Sequence, residues 1–202
     1  LNFNYRKNGF DLSGMLYGGN LRGGNDQFFV IDTYLDKLWR QNLSLPNQIF
    51  KTKQIEALLS LNYQFNENHS MGARFNWEKT PESYWLVNQF AQTFSGNQLY
   101  EDLHSNVVGN EPEGYRKANF YYSGKVKNWS IDFNADGLWS DAENTQVAEE
   151  EILGGINEAV NRSVTTFDTK KNELYAAKLV VSHPLAKGNL SFGGEYSHNK
   201  RN

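Results

Sequence analysis

Four histidines, His69, His104, His183 and His198, are the residues best suited to hold a metal or pass a proton in this 202-residue chain. Each stands alone at a turn or strand end. None has a second histidine four residues away on the same face, so no zinc site of the helical type is predicted. The stretch GGNLRGGND, residues 18–26, is glycine-rich like a phosphate cradle but lacks the Lys-Ser/Thr ending and the helix that follows such a loop. A Gly-x-Ser-x-Gly elbow is absent. Asp132 and Asp136 fall on one side of an alternating stretch, where carboxylates line water more readily than they exchange protons with a substrate. The acidic run Glu149, Glu150 and Glu151 offers charge for a divalent cation, with a solvated loop face as the plainer reading. The chain has no cysteine, which excludes disulfides and thiolate metal sites. No catalytic residue, cofactor or metal is therefore expected, and the chemistry left is non-covalent binding.

The elements that must position these residues read as strands. In NWSIDFNADGLWSD, residues 128–141, Trp129, Ile131, Phe133 and Ala135 alternate with Ser130, Asp132, Asn134 and Asp136, which is the period of a strand with two unlike faces. Composition agrees: 14% of residues are aromatic, yet mean hydropathy is −0.68. Four turn signals each separate two alternating runs: Lys7, Asn8 and Gly9; residues 66–70; residues 125–128; and residues 183–188. About seven strands result. Between the hairpins lie three long connections, residues 18–53, 79–114 and 139–172, which are expected to be loops. Within them QFFVIDTYLDKLW from Gln27 is expected to extend a strand. ENTQVAEEEILGGINEAVNR from Glu143, with Leu153, Ile156 and Val160 at helical spacing, is expected to form a short helix.

Strand alternation does not by itself say whether protein or lipid covers the apolar face. Two features favour lipid. Trp129 and Trp139 stand at the two ends of one face; ten residues at about 3.3 Å, tilted near 45°, climb roughly 24 Å, the height of a membrane barrel's apolar band. Several mid-strand positions on the apolar side are small (Gly14, Ala57, Ala73, Ala135, Ala177, Gly194), where a sandwich core would need matching bulk opposite. Short turns alternating with long connections also suit a barrel with periplasmic turns and long extracellular loops. The net charge of −3 with scattered basic residues offers no footprint for nucleic acid. No apolar run reaches the roughly 20 residues of a membrane-spanning helix. The opening LNFNYRKNG is no signal peptide and reads as the middle of a strand, so the chain is taken as a piece of something longer.

ANFYYSGKVKNWSIDFNADGLWS, LLSLNYQFNENHSMGARFNW and AAKLVVSHPLAKGNLSFGGEYSHNK resemble successive hairpins of TonB-dependent-receptor-like outer-membrane β-barrels. The likeness covers nearly the whole chain. A strand of the type Asn-x-Tyr-Tyr-x-Gly-Lys, here residues 119–125, descends to a periplasmic turn, and one resembling Phe-Asn-Ala-Asp, here residues 133–136, rises from it. The resemblance implies a bacterial outer-membrane protein whose barrel is closed by an amino-terminal plug and driven by TonB to take up a small nutrient ligand. No plug, TonB-contacting segment or terminal aromatic strand is found in the chain. The expected fold is thus all-β: an antiparallel up-and-down meander, with residues 1–202 forming part of a transmembrane barrel. Asn119, Asp132, Asn134 and Asp136 are expected to face the lumen, outer-membrane lipid is the partner of the other face, and no enzymatic activity is expected. The other readings are a passive porin or structural barrel, and a soluble all-β carbohydrate-binding module using Trp39 and Trp85 as stacking platforms.

Overall fold

The computed structural model describes residues 1–156 and 158–202, and among them there is no helix. Nine strands make one antiparallel sheet: β1 (Asn2–Lys7), β2 (Phe10–Tyr34), β3 (Leu38–Asn66), β4 (His69–Ser95), β5 (Gln98–Asn110), β6 (Glu113–Val126), β7 (Trp129–Gly155), β8 (Val160–Leu185) and β9 (Gly188–Arg201). They follow one another as a meander. β5 and β6 act as one crossing: β5 pairs the upper part of β4 and β6 the lower part, and β7 pairs both. Pro112, which has no N–H to donate, sits in the gap between them. The meander therefore has eight crossings rather than seven. β1 and β9 are each paired on one side only.

The four expected turns are tight two-residue connections. Asn8 and Gly9 both take positive φ, as a type I′ hairpin turn requires, and Lys127 and Ala186 do so at the two later turns. The three segments expected as long loops are not loops. They are the upper halves of β2 to β5, β7 and β8, which run on as hairpins closed at residues 35–37, at residues 96–97 and beyond Gly155. The strand expected from Gln27 is present. The helix expected from Glu143 is replaced by β7 and β8, because ladders on both sides satisfy that backbone more completely than a lone helical turn; Asn157 of that stretch lies outside the described residues.

Register shows how the sheet is slanted. One row of directly paired residues runs Phe10, Tyr63, Met71, Tyr122, Phe133, Leu179, Gly194. The turn residue next to this row is Gly9 below Phe10, Asn68 below Met71, Asn128 below Phe133 and Lys187 below Gly194. Each hairpin is thus set two residues further down than the last, or one residue per strand. With about 3.3 Å per residue and about 4.8 Å between strands, the strands lean roughly 35° from the normal to the line of turns.

A packed core is missing. No large side chain is fully buried, and the buried hydrophobic residues are Ala91 and Ala148 alone among the described residues. Leu59 and Phe192, at 47% and 55% exposure, lie open. Ile131 and Phe133 belong to the same single sheet, with no second sheet against them.

Candidate functional site

Tracking one uninterrupted strand shows how the two faces differ. On β7 the odd positions are Trp129, Ile131, Phe133, Ala135, Gly137 and Trp139, and then Asp141, Glu143, Thr145, Val147, Glu149 and Glu151. The same side chain direction passes from wholly uncharged to mostly acidic at one point. Register carries this outer face across the lower sheet: Leu12, Leu61, Ala73, Phe120, Ala135, Ala177 and Tyr196 form one row, and Gly14, Leu59, Phe75, Ala118, Gly137, Tyr175 and His198 the next. Tyr17 aside, every exposed large hydrophobic residue of the lower half lies on it. Rings gather at its ends. Near the turns, Phe10 meets Tyr5 at 6.1 Å and Tyr63 at 6.4 Å, and Trp129 meets His183 at 4.5 Å and Phe192 at 6.1 Å. At the far end, Trp139 lies against Tyr175 and donates its indole N–H to the phenol at 2.9 Å.

Even positions of β7 make the inner face. Ser130, Asp132, Asn134 and Asp136 lie there with Asn119 of β6, so all four residues expected on one polar face share it. Asn119 Nδ2 donates to Asn134 Oδ1 at 3.0 Å and to Asp136 Oδ1 at 2.8 Å, and Asn134 Nδ2 donates to Asp136 Oδ2 at 2.7 Å. Asp132 stands apart from this triangle and accepts from Ser123 Oγ at 2.7 Å. Beside the triangle, Arg74, Asn76, Tyr115 and Lys117 join Asn119 and Asp136 around a recess of about 380 Å³. Asn76 Oδ1 is buried there without a hydrogen-bond partner, and neither Arg74 nor Lys117 makes an ion pair among the described residues. Amides, a phenol, two cations and a carboxylate around a recess can bind a polar solute by several hydrogen bonds. The sequence reading missed Arg74, Asn76, Tyr115 and Lys117. Their alternation was visible, but only the pairing of β4 with β6 puts Arg74 opposite Asn119 and Asn76 opposite Lys117.

Above the recess apolar rows appear on the inner face, with Gln89, Ser105, Glu150 and Arg162 in the row between them. Phe29, Leu43, Ala91, Leu103, Ile152 and Val160 form one row across six strands, and Val87, Val107, Ala148 and Val164 another. On the outer side at this height are Asn88, Asn106, Glu149 and Ser163 in one row. The division into an apolar and a polar face thus ends at this height, since the outer side also carries Phe28 and Phe90. Trp39 and Trp85, read from sequence as exposed stacking platforms, are half-buried on the inner side instead: Trp39 packs edge-on to Tyr100 at 4.9 Å, and Trp85 covers Gly109, where any side chain would collide with its indole. At the tip of the β2–β3 hairpin, Arg40 grips Asp32 through two hydrogen bonds of 2.8 Å. These bonds, with the guanidinium charge, hold the exposed Asp32 carboxyl below the usual carboxylate range.

Three of the histidines, His69, His104 and His183, lie against aromatic rings. His104 is edge-on to Phe90 at 4.4 Å, and His69 shares a 2.7 Å hydrogen bond with Tyr122. Glu149 accepts from Ser163 at 2.7 Å, and Glu150 pairs with Arg162. No protein-family model matches the chain, and no curated protein matches it.

Proposed function

We propose that this chain is part of the wall of an outer-membrane β-barrel that takes up a polar nutrient, of the TonB-dependent receptor kind. One observation carries the membrane part: the outer face of β7 is uncharged from Trp129 to Trp139 and mostly acidic from Asp141 to Glu151, and the residues paired with Ile131 to Gly137 on that face of β6 and β8 are uncharged as well. A water-soluble sheet has no reason to expose an apolar band ringed by aromatics at both edges. In a bilayer that band meets acyl chains and the rings sit at the two interfaces. Three further features support the reading. The lean of roughly 35° lies within the 35–45° of membrane barrels, short turns close one end while tall hairpins rise from the other, and the inner face carries the hydrogen-bonding groups a water-filled lumen requires.

The unpaired edges of β1 and β9 would be costly within lipid, where every backbone group needs a partner, so further strands complete the wall. Uptake is assigned to the lumen recess around Asn119, Asn134 and Asp136, with the upper hairpins screening the ligand. Energy input through a plug and TonB follows from the sequence resemblance.

These 202 residues hold no cysteine, so an introduced one reports its own position once any cysteine elsewhere in the full-length protein is replaced by serine. In cells making the full-length protein, D36C at the β2–β3 tip should react with a membrane-impermeant maleimide from outside, and E67C at a short turn only after the outer membrane is breached. Equal labelling of both in intact cells would sink the membrane assignment. Uptake that continues when a protonophore collapses the inner-membrane gradient would leave a passive porin in place of a TonB-driven receptor.

A further inference from the structure

The outer face changes character over a few residues at the top of the apolar band, and on β2, β3 and β4 four cations gather there beside Glu82. Arg22 of β2 stands directly opposite Lys51 of β3, and Lys53 lies two residues nearer the band, with Lys79 across the sheet from Ile55. All four project from the face that carries Leu16, Ala57 and Trp77. Like charges placed directly opposite across two strands destabilise the pair unless an anion comes between them. Lys53 pairs with Glu82, and Lys79 reaches Asp141 at 3.4 Å. Arg22 and Lys51 have no acidic partner among the described residues; the Lys51 ammonium lies 5.4 Å from the centre of the Tyr84 ring. The chain as a whole is acidic, at −3, so this concentration of cations is local.

We propose that Arg22 and Lys51, flanked by Lys53, bind the phosphate of a lipid headgroup in the leaflet on the tall-hairpin side. The inference rests on the membrane reading above. Height argues for it: Lys53 and Lys51 stand two and four residues above Ile55 along β3, which at this slant is on the order of 5–10 Å above the last apolar contact. The polar layer of a bilayer leaflet extends roughly 5–8 Å beyond the hydrocarbon on each side, so these cations stand in its outer part, where phosphates lie. Acyl chains lie against the exposed Leu16, Ile55 and Leu59 below, and the phosphate meets the two unpaired cations above. Tyr84, beside Lys51, supplies an amphipathic ring at the same level.

The test reconstitutes the full-length protein in phosphatidylcholine vesicles containing phosphatidic acid and counts retained lipids by native mass spectrometry. The wild type should retain phosphatidic acid over phosphatidylcholine, with a preference that falls as salt is raised. R22Q/K51Q should reduce that preference about thirty-fold, K51Q alone about fivefold, and K7Q at the opposite rim not at all. Insertion is scored separately, by protease protection in pure phosphatidylcholine. Normal insertion with an unchanged preference in both variants overturns the lipid site and leaves the barrel standing, as does occupancy by inorganic phosphate with no retained phosphatidic acid. Failure of the wild type to insert overturns both readings.

Discussion

Leu179 and Val180 are neighbours in β8, and the two sides of the sheet separate them: Leu179 is exposed on the apolar face, and Val180 stands opposite Asp132 on the polar one. A positive charge should report the difference. L179R, near the middle of the band, is expected to cost about 2–4 kcal/mol of folding free energy into lipid vesicles, measured by denaturant titration. V180R should cost under about 1 kcal/mol, because its guanidinium finds water and the Asp132 carboxylate. Equal losses at the two positions would contradict the lipid-facing assignment. At the hairpin tip, Asp32 has its carboxyl lowered chiefly by the Arg40 hydrogen bonds. A carboxyl lowered by folding stabilises the native hairpin above its ordinary value near 4 and loses that contribution as pH falls through the lowered one. Amide protection factors in residues 30–42, with the intrinsic pH dependence of exchange divided out, should therefore fall more in the wild type than in R40Q as pH drops from about 5 to below the ordinary carboxylate value near 4. The four polar residues expected on one face were legible because a two-residue period assigns faces without any knowledge of partners. Arg74 and Lys117 were not, since proximity across strands depends on register.

Strand continuity governs the next scale. β7 keeps one register with β8 from Ser130 to Ile152, so both faces along its length depend on the count of residues. Inserting one residue between Phe133 and Asn134 shifts every later side chain to the other face. Such a protein should fail to acquire heat-modifiable mobility on gels, whereas one residue added between Gly96 and Asn97, in a two-residue turn outside the band, should leave it intact. The short turns were legible through their residues: Asn8 and Gly9 supply the positive φ that a tight hairpin needs. The tall hairpins were not. Their alternation is broken where β2 and β3 slip between Asn25 and Gln27, where β3 and β4 slip between Ser44 and Ile49, and near Pro81, so a fixed period loses phase. Leu153, Ile156 and Val160 match helical spacing, but Ile152 and its neighbours are held by β5 on one side and β8 on the other. Local propensity yields to two flanking ladders.

As a whole the molecule is one sheet thick, with open edges and an apolar band, and it cannot bury that surface by itself. The 202-residue chain alone in water should sediment as aggregates, and in detergent micelles it should remain dispersed with a β-type circular dichroism spectrum. A monodisperse monomer in plain buffer would require the band to be covered by something in the chain itself. Sequence alone determined the period, and with it the all-β class, the four tight turns and the division of side chains into an apolar and a polar set, because each of these is encoded within a few consecutive residues. Tertiary structure decided the slant of the strands, the conversion of the long segments into hairpins, the recess around Asn119 and the mixed character of both faces above Trp139. These depend on which strand lies beside which and at what offset, and that pairing is set by contacts between residues tens of positions apart.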